Sequence, residues 1–101
     1  MNRVRLVSLL GLAQKAGKIA SGEVAVEHAV RAGKARLVLI AADASDNTKK
    51  SYRDLAVYYQ VAYHEGLSKD ELGHATGKPS RAALAVTDAG FGKAIGEALK
   101  A

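Results

Sequence analysis

Arg36-Leu-Val-Leu-Ile-Ala-Ala42 is the stretch that decides the fold, because Leu37 to Ala42 is the longest unbroken apolar run in the chain. It is far short of the ~20 apolar residues a membrane-spanning helix needs. It also lacks the alternation of a half-exposed strand, so it predicts a strand buried on both faces, in a sheet covered by helices on each side. Toward the N-terminus, Val4 to Lys15 reads as a helix with Leu6, Val7, Leu9, Leu10 and Ala13 as its apolar stripe and Gly17 as its stop. Lys18 to Ser21 is extended. Ser21 is expected to cap a second helix, Gly22 to Ala32, which turns Ala25, Val26, Ala29 and Val30 inward and ends at Gly33. Toward the C-terminus, Asp43-Ala-Ser-Asp46 is a turn rich in capping oxygens, and a third helix runs from about Asn47 to Gln60 with Tyr52, Leu55, Ala56 and Tyr59 on one face. Val61 to His64 is a short strand. Ser68-Lys-Asp-Glu71 is a capping box that opens a short helix to about Thr76. A loop, Gly77-Lys-Pro-Ser-Arg81, leads into a strand from Ala82 to Thr87. Asp88 then caps a last helix whose Phe91, Ala94, Ile95, Ala98 and Leu99 face inward.

Five helices interleaved with four strands define an α/β chain folded as a three-layer α/β/α sandwich. The lack of tight hairpin signals predicts crossover connections at most joins. With 101 residues, the expectation is a single domain over residues 1–101, too small for a cleft between two lobes. No cysteine is present, which excludes disulfides, thiolate zinc sites and a cysteine nucleophile. Arg3 and Arg5 before Leu6–Ala13 imitate a signal peptide, but no small-residue cleavage site follows, so the segment reads as a helix of the domain. A cytoplasmic location is expected.

The net charge is +5, and it is unevenly spread. Met1 to Arg53 holds ten Lys/Arg against four Asp/Glu, whereas Asp54 to Ala101 holds five against six. A basic half-chain suggests a surface facing a polyanion such as nucleic acid. Nucleotide sites fit poorly: five residues separate Gly11 from Gly17-Lys18 where a phosphate loop has four. Gly73 to Pro79 also has the wrong spacing, and the third glycine after Gly90-Phe-Gly92 comes one residue late for a dinucleotide fingerprint. His28, His64 and His74 are too scattered for a metal motif, and no nucleophile elbow is present. Turn and capping roles account for Asp43, Asp46 and Asp88. Neither catalytic residues nor metal ligands nor a cofactor are therefore expected. Tyr52, Tyr58, Tyr59 and Tyr63 crowd into one helix–strand segment at core spacing, which assigns them to packing instead of base stacking. A sheet covered on both faces leaves helix ends and loops as the binding surface. On the second helix, Val24, Glu27, His28, Arg31 and Lys34 point outward close to Lys15 and Lys18, at a helix N-terminus of the kind that favours phosphate.

Lys18-Ile-Ala-Ser-Gly-Glu23, Arg31 through Asp43, Leu72-Gly-His-Ala-Thr-Gly77 and Arg81 through Thr87 follow one another in the order of a known family. Together they resemble the kink-turn RNA-binding ribosomal-protein family typified by the archaeal L-seven-Ae protein. Leu10-Gly-Leu-Ala-Gln-Lys-Ala-Gly-Lys18 and Asp43 through Lys50 look like its small stand-alone bacterial members. The resemblance covers almost the whole chain and implies a four-stranded mixed central sheet. It also implies binding of structured, kink-turn-like RNA, with the ribosome as a further partner, and neither catalysis nor a cofactor. Family members read tandem sheared G·A pairs and backbone with Gly-x-Asn-Glu and a following Lys at the start of the second helix. The matching positions here are Gly22, then Val24 and Ala25 for the Asn-Glu pair, and His28 for the Lys. Val24 and Ala25 cannot make polar base-edge contacts, and His28 is charged only when protonated. The family's second contact, a loop before the last strand, corresponds to Gly77 through Ala82. A family Glu-Asp after the second strand corresponds to Ala42-Asp43.

The expected RNA surface is therefore Lys15, Lys18, Ser21, Gly22, Glu23, Val24, His28, Arg31, Lys34, Asp43, Lys78, Pro79, Ser80, Arg81 and Ala82. Its expected mode is shape and backbone recognition with altered base selectivity. The alternative is a protein-interaction or stress-adaptor module on the same fold.

Overall fold

Every helix signal and every strand signal in the sequence corresponds to an element of the structure. The computed structural model describes residues 1–101. Its elements are α1 (Arg3–Lys15), β1 (Ile19–Ser21), α2 (Glu23–Arg31), β2 (Leu37–Ile40), α3 (Asp46–Tyr58), β3 (Ala62–Glu65), α4 (Lys69–Ala75), β4 (Ala83–Val86) and α5 (Ala89–Lys100). The sheet order is β1-β4-β2-β3. β4 runs antiparallel to both of its neighbours, while β2 and β3 are parallel. A helix joins each strand to the next, so crossovers replace hairpins as the sequence implied. α2 and α3 pack on one face of the sheet, and α1, α4 and α5 pack on the other.

All four residues of β2 and all four of β4 are buried, whereas the edge strands β1 and β3 are only partly covered. The continuous apolar run marked a strand covered on both faces, and that is where β2 lies. Leu6 and Leu10 from α1, Val26 and Val30 from α2, Leu72 from α4 and Ile95 from α5 close the core around it. Removing the side chain of a fully buried residue such as Leu39 leaves a cavity costing about 2–5 kcal/mol.

Four helices begin with a side-chain cap. Asn2 accepts a hydrogen bond from the Arg5 N–H, Ser45 from Thr48 and Asp88 from Phe91. Ser68 and Glu71 form the expected reciprocal capping box. The Arg3 guanidinium, followed by the Ser68 backbone N–H, holds the Glu71 carboxyl below its usual range.

Four expectations are corrected. Ser21 does not cap α2, because pairing with β4 places it in β1 opposite Leu84. Gly22 takes the N-cap position without a side-chain hydrogen bond. Ala25 is exposed, since the buried stripe of α2 is Val26, Ala29 and Val30. Tyr58 is 80% exposed and sits off the Tyr52–Leu55–Ala56–Tyr59 face, so it does not pack in the core. Finally, α3 stops at Tyr58 and Gln60 adopts φ +57°, ending the helix before the expected boundary.

Candidate nucleic-acid interface

α2 begins at Gly22, whose backbone angles of φ +93° and ψ 162° disfavour any residue with a Cβ. The Gly22 N–H donates to the Ala83 carbonyl at 3.1 Å and its own carbonyl accepts from Val26 at 2.9 Å. The turn is thereby tied to β4 and to the helix at once. First-turn N–H groups of a helix have no intrahelical acceptor, and here no side chain caps them. α2 therefore presents an open, electropositive N-terminus.

Arg81 closes one side of this site. Its Nε donates to the Ser21 Oγ at 2.9 Å and one terminal nitrogen donates to the Ser80 carbonyl at 2.6 Å. Guanidinium carries five N–H donors, so several remain for a ligand beside the α2 N-terminus. The loop from Gly77 to Ala82 is seated by α4: Lys78 N–H donates to the Gly73 carbonyl at 2.7 Å. A Cβ on Gly73 would lie 2.7 Å from Ser80 Cα and 2.8 Å from the Lys78 carbonyl oxygen, so only glycine lets the loop sit there. Asp43 joins through Lys69. Its Oδ1 accepts from the Lys69 N–H at 2.9 Å, and the Lys69 carbonyl accepts from the Arg81 N–H at 3.0 Å. Ala82 accepts from the Ala41 N–H at 2.9 Å, which fixes the far end of the loop to the exit of β2.

Beside the α2 N-terminus an open groove of about 890 Å³ runs between β1 and α2. It brings together Ser21, Gly22, Glu23, Val24, Ala25, His28 and Lys34. Val24 is 85% exposed, so its outward placement was read correctly. Lys18 stands between two wall residues, Gly17 and Ile19, and its carbonyl accepts from the Thr87 N–H at 2.9 Å. Lys15 lies farther out, exposed on the last turn of α1. Lys78, Pro79 and Ser80 are exposed on the adjoining loop. None of Lys15, Lys18, Lys34, Lys78 and Arg81 has a carboxylate partner.

Arg31 is separated from this group. It lies on the other flank of α2, in a groove shared with α3. There it pairs with Glu27 at 3.0 Å, reaches the Tyr59 hydroxyl at 3.4 Å and stacks 5.9 Å from the Tyr59 ring centre. Its hydrogen bonds to Glu27 and then Tyr59 raise its pKa. Several contributors lie outside the expected surface, among them Ile19, Ala20, Ala29 and Thr87 in the groove wall and Gly73 as the seat of the loop. Only a lone glycine inside a short amphipathic helix hinted at the last of these. No cluster of three or more His, Asp or Glu is placed to hold a metal ion, and no helix is long and apolar enough to cross a membrane.

Fold and groove define a class of small α/β/α sandwich with an open cationic face at one helix N-terminus. Residues 5–95 match the sequence profile of the ribosomal protein L7Ae/L30e/S12e/Gadd45 family, and the chain belongs to that family. The RNA-binding protein YlxQ of Bacillus subtilis (strain 168) is 44% identical over 91 residues, which is 90% of this chain and 91% of the relative. The RNA-binding protein YlxQ of Enterococcus faecium is 39% identical over 99 residues, covering 98% and 95%. Among solved structures, a Bacillus halodurans C protein of unknown function superposes with a TM-score of 0.92 at 35% identity, covering 96% of this chain and 98% of that one. The Giardia lamblia 15.5kD RNA binding protein superposes with a TM-score of 0.79 at 25% identity, covering 96% and 83%.

Proposed function

We propose that this protein binds structured RNA of the kink-turn type, without catalysis, through the α2 N-terminus and the loop before β4. The observation that carries this reading is the uncapped start of α2 at Gly22, with Arg81 fixed beside it by Ser21. Backbone N–H groups at a helix N-terminus donate to phosphate oxygens, and the unpaired Lys18, Lys34, Lys78 and Arg81 supply the long-range attraction. Three of the four relatives and neighbours above carry RNA-binding names, which supports the same partner class. Val24 and Ala25 replace the polar pair that reads base edges elsewhere in the family. Binding therefore draws on groove shape and closely spaced phosphates more than on base hydrogen bonds. The partner in this reading is cytoplasmic structured RNA, ribosomal or regulatory.

Gel retardation of a kink-turn RNA against a straight duplex of equal length, over a range of salt concentrations, tests this. The kink-turn is expected to bind more tightly at every salt concentration, with affinity falling as salt rises. Equal binding of the two RNAs would overturn kink-turn recognition and leave only generic basicity. Restoring the pair with Val24→Asn and Ala25→Glu is expected to widen the discrimination. Both positions are exposed, so the fold tolerates the change.

A further inference from the structure

The flank of α2 that faces α3 has a chemistry unlike the rest of this basic chain. It forms a groove of about 630 Å³ whose walls include Glu23, Glu27, Tyr52, Asp54, Leu55 and Tyr58. Arg31 is the only Lys or Arg among the lining residues, and Glu27 and Tyr59 already engage it. Glu23 has no cationic partner. Tyr52 is only 8% exposed, yet its hydroxyl makes no hydrogen bond within the protein. That oxygen is not sealed in either, because the one enclosed, unpartnered side-chain oxygen is that of Gln14. Burial first, and then the Glu23 and Glu27 carboxylates, push the Tyr52 pKa up to about 12. Glu23, without a cation, and the Tyr52 hydroxyl, without a partner in the protein, thus share one groove beside the Glu27–Arg31 pair. Tyr58, 80% exposed, stands edge-on to Tyr59 with ring centres 4.9 Å apart, and Val57, 72% exposed, continues the apolar surface along α3.

We propose that the α2–α3 groove docks a Lys- or Arg-bearing segment of a partner protein, whose cationic group enters among Glu23, Glu27 and Tyr52 while Tyr58 covers its aliphatic stem. Charge selects this occupant: Arg31 and Lys50 offset Glu27 and Asp54, so the uncompensated charge of the groove is that of Glu23, which repels phosphate and attracts ammonium or guanidinium. A tyrosine face is a favourable surface for such a cation. The exposed Val57–Tyr58 surface needs apolar cover as well, which a polypeptide provides and a free polyamine does not. Exposed tyrosine beside a buried polar anchor is also the composition of protein interfaces. Glu23, at the start of α2, borders both grooves, whereas Tyr52 and Tyr58 line this one and not the RNA groove, so the inference rests on residues the RNA reading does not use.

The test titrates the full-length protein, free of RNA, with a synthetic peptide alternating Arg and Leu, while NMR follows the Tyr52 and Tyr58 ring resonances. Spermidine forms a second arm. The peptide is expected to shift both rings and to bind more tightly than spermidine. Tyr58→Ala is expected to weaken the peptide about tenfold and Tyr52→Phe by a smaller factor, with both variants retaining kink-turn RNA as before. Asp70→Asn with Glu97→Gln, which neutralise acids on the other face, are expected to leave the peptide unaffected. Absence of ring shifts, equal binding of spermidine, or equal loss in the Asp70/Glu97 variant would each overturn the proposal.

Discussion

On the β1 side of α2, Lys18, His28 and Lys34 stand without carboxylate partners, as does Arg81 just beyond the helix start. Toward α3, by contrast, Arg31 is held by Glu27 and Lys50 by Asp54, and at the adjoining edge of the sheet Lys49 and Arg53 share Glu65. The N-terminal half-chain looks uniformly basic in sequence, yet about half of its cations are neutralised locally. Net charge counts residues, whereas the field a ligand feels depends on which of them remain unpaired. One nine-residue helix thus separates a cationic surface from an acidic, aromatic one.

The largest expected effect separates the two flanks by charge reversal. Lys18→Glu, Lys34→Glu and Arg81→Glu together should abolish retardation of kink-turn RNA. Each lost phosphate contact should also flatten the log affinity against log salt plot by about 0.7–0.9. Arg31→Glu with Lys50→Glu should leave RNA binding nearly intact, and an equal loss in both variants, measured by the same gel shift, would erase the distinction. Next in size, Gly22→Ala places a Cβ at φ +93° and should cost roughly 1–3 kcal/mol in a denaturant titration. It should weaken RNA binding beyond that loss, because it disturbs the open turn itself.

Gly73→Ala sharpens the contrast from the other end of the site. Its methyl meets the backbone of the loop, so about 1–3 kcal/mol of strain is expected, with RNA affinity reduced and basic-peptide binding unchanged.

The smallest effect comes from His64 on β3, outside both flanks, and serves as a baseline. Burial, and then Lys100, lower its pKa below the ordinary 6.5. The unfolded chain takes up that proton first, so this contribution is complete above about pH 6.5 and is lost as pH falls below it. Tm should drop between pH 7.5 and 5.5, and drop less in His64→Gln.

What could be read from the sequence followed local rules. The Leu37–Ala42 run, the Ser68–Glu71 box and the Asp88 cap each carry their signal within a few residues, and each is where it was expected. Ser21 misled because its residue type suits a cap, while the pairing that claims it comes from β4, which is distant in sequence. Tyr58 falls among the packing residues because it crowds with Tyr52, Tyr59 and Tyr63, although its position off the helical stripe holds the contrary signal. Arg31 was grouped with the RNA surface by proximity in the chain. Its real neighbours, Glu27 and Tyr59, depend on how α3 packs beside α2. The Ser21–Arg81 bond spans 60 positions, and no local pattern announces it.

The place of β4 between β1 and β2 sets a schedule for the nascent chain. Chains emerge N-terminal end first, so β1 and β2 leave the ribosome with no strand between them, and the sheet waits for residues 83–86. Gly22 gains its Ala83 anchor and Ser21 its Arg81 partner only at that moment. A polypeptide interrupted before β4 would carry most of the basic residues but no assembled grip. The proposed RNA grip is thus assembled late, when the segment carrying Arg81 and β4 joins a sheet whose other three strands already exist.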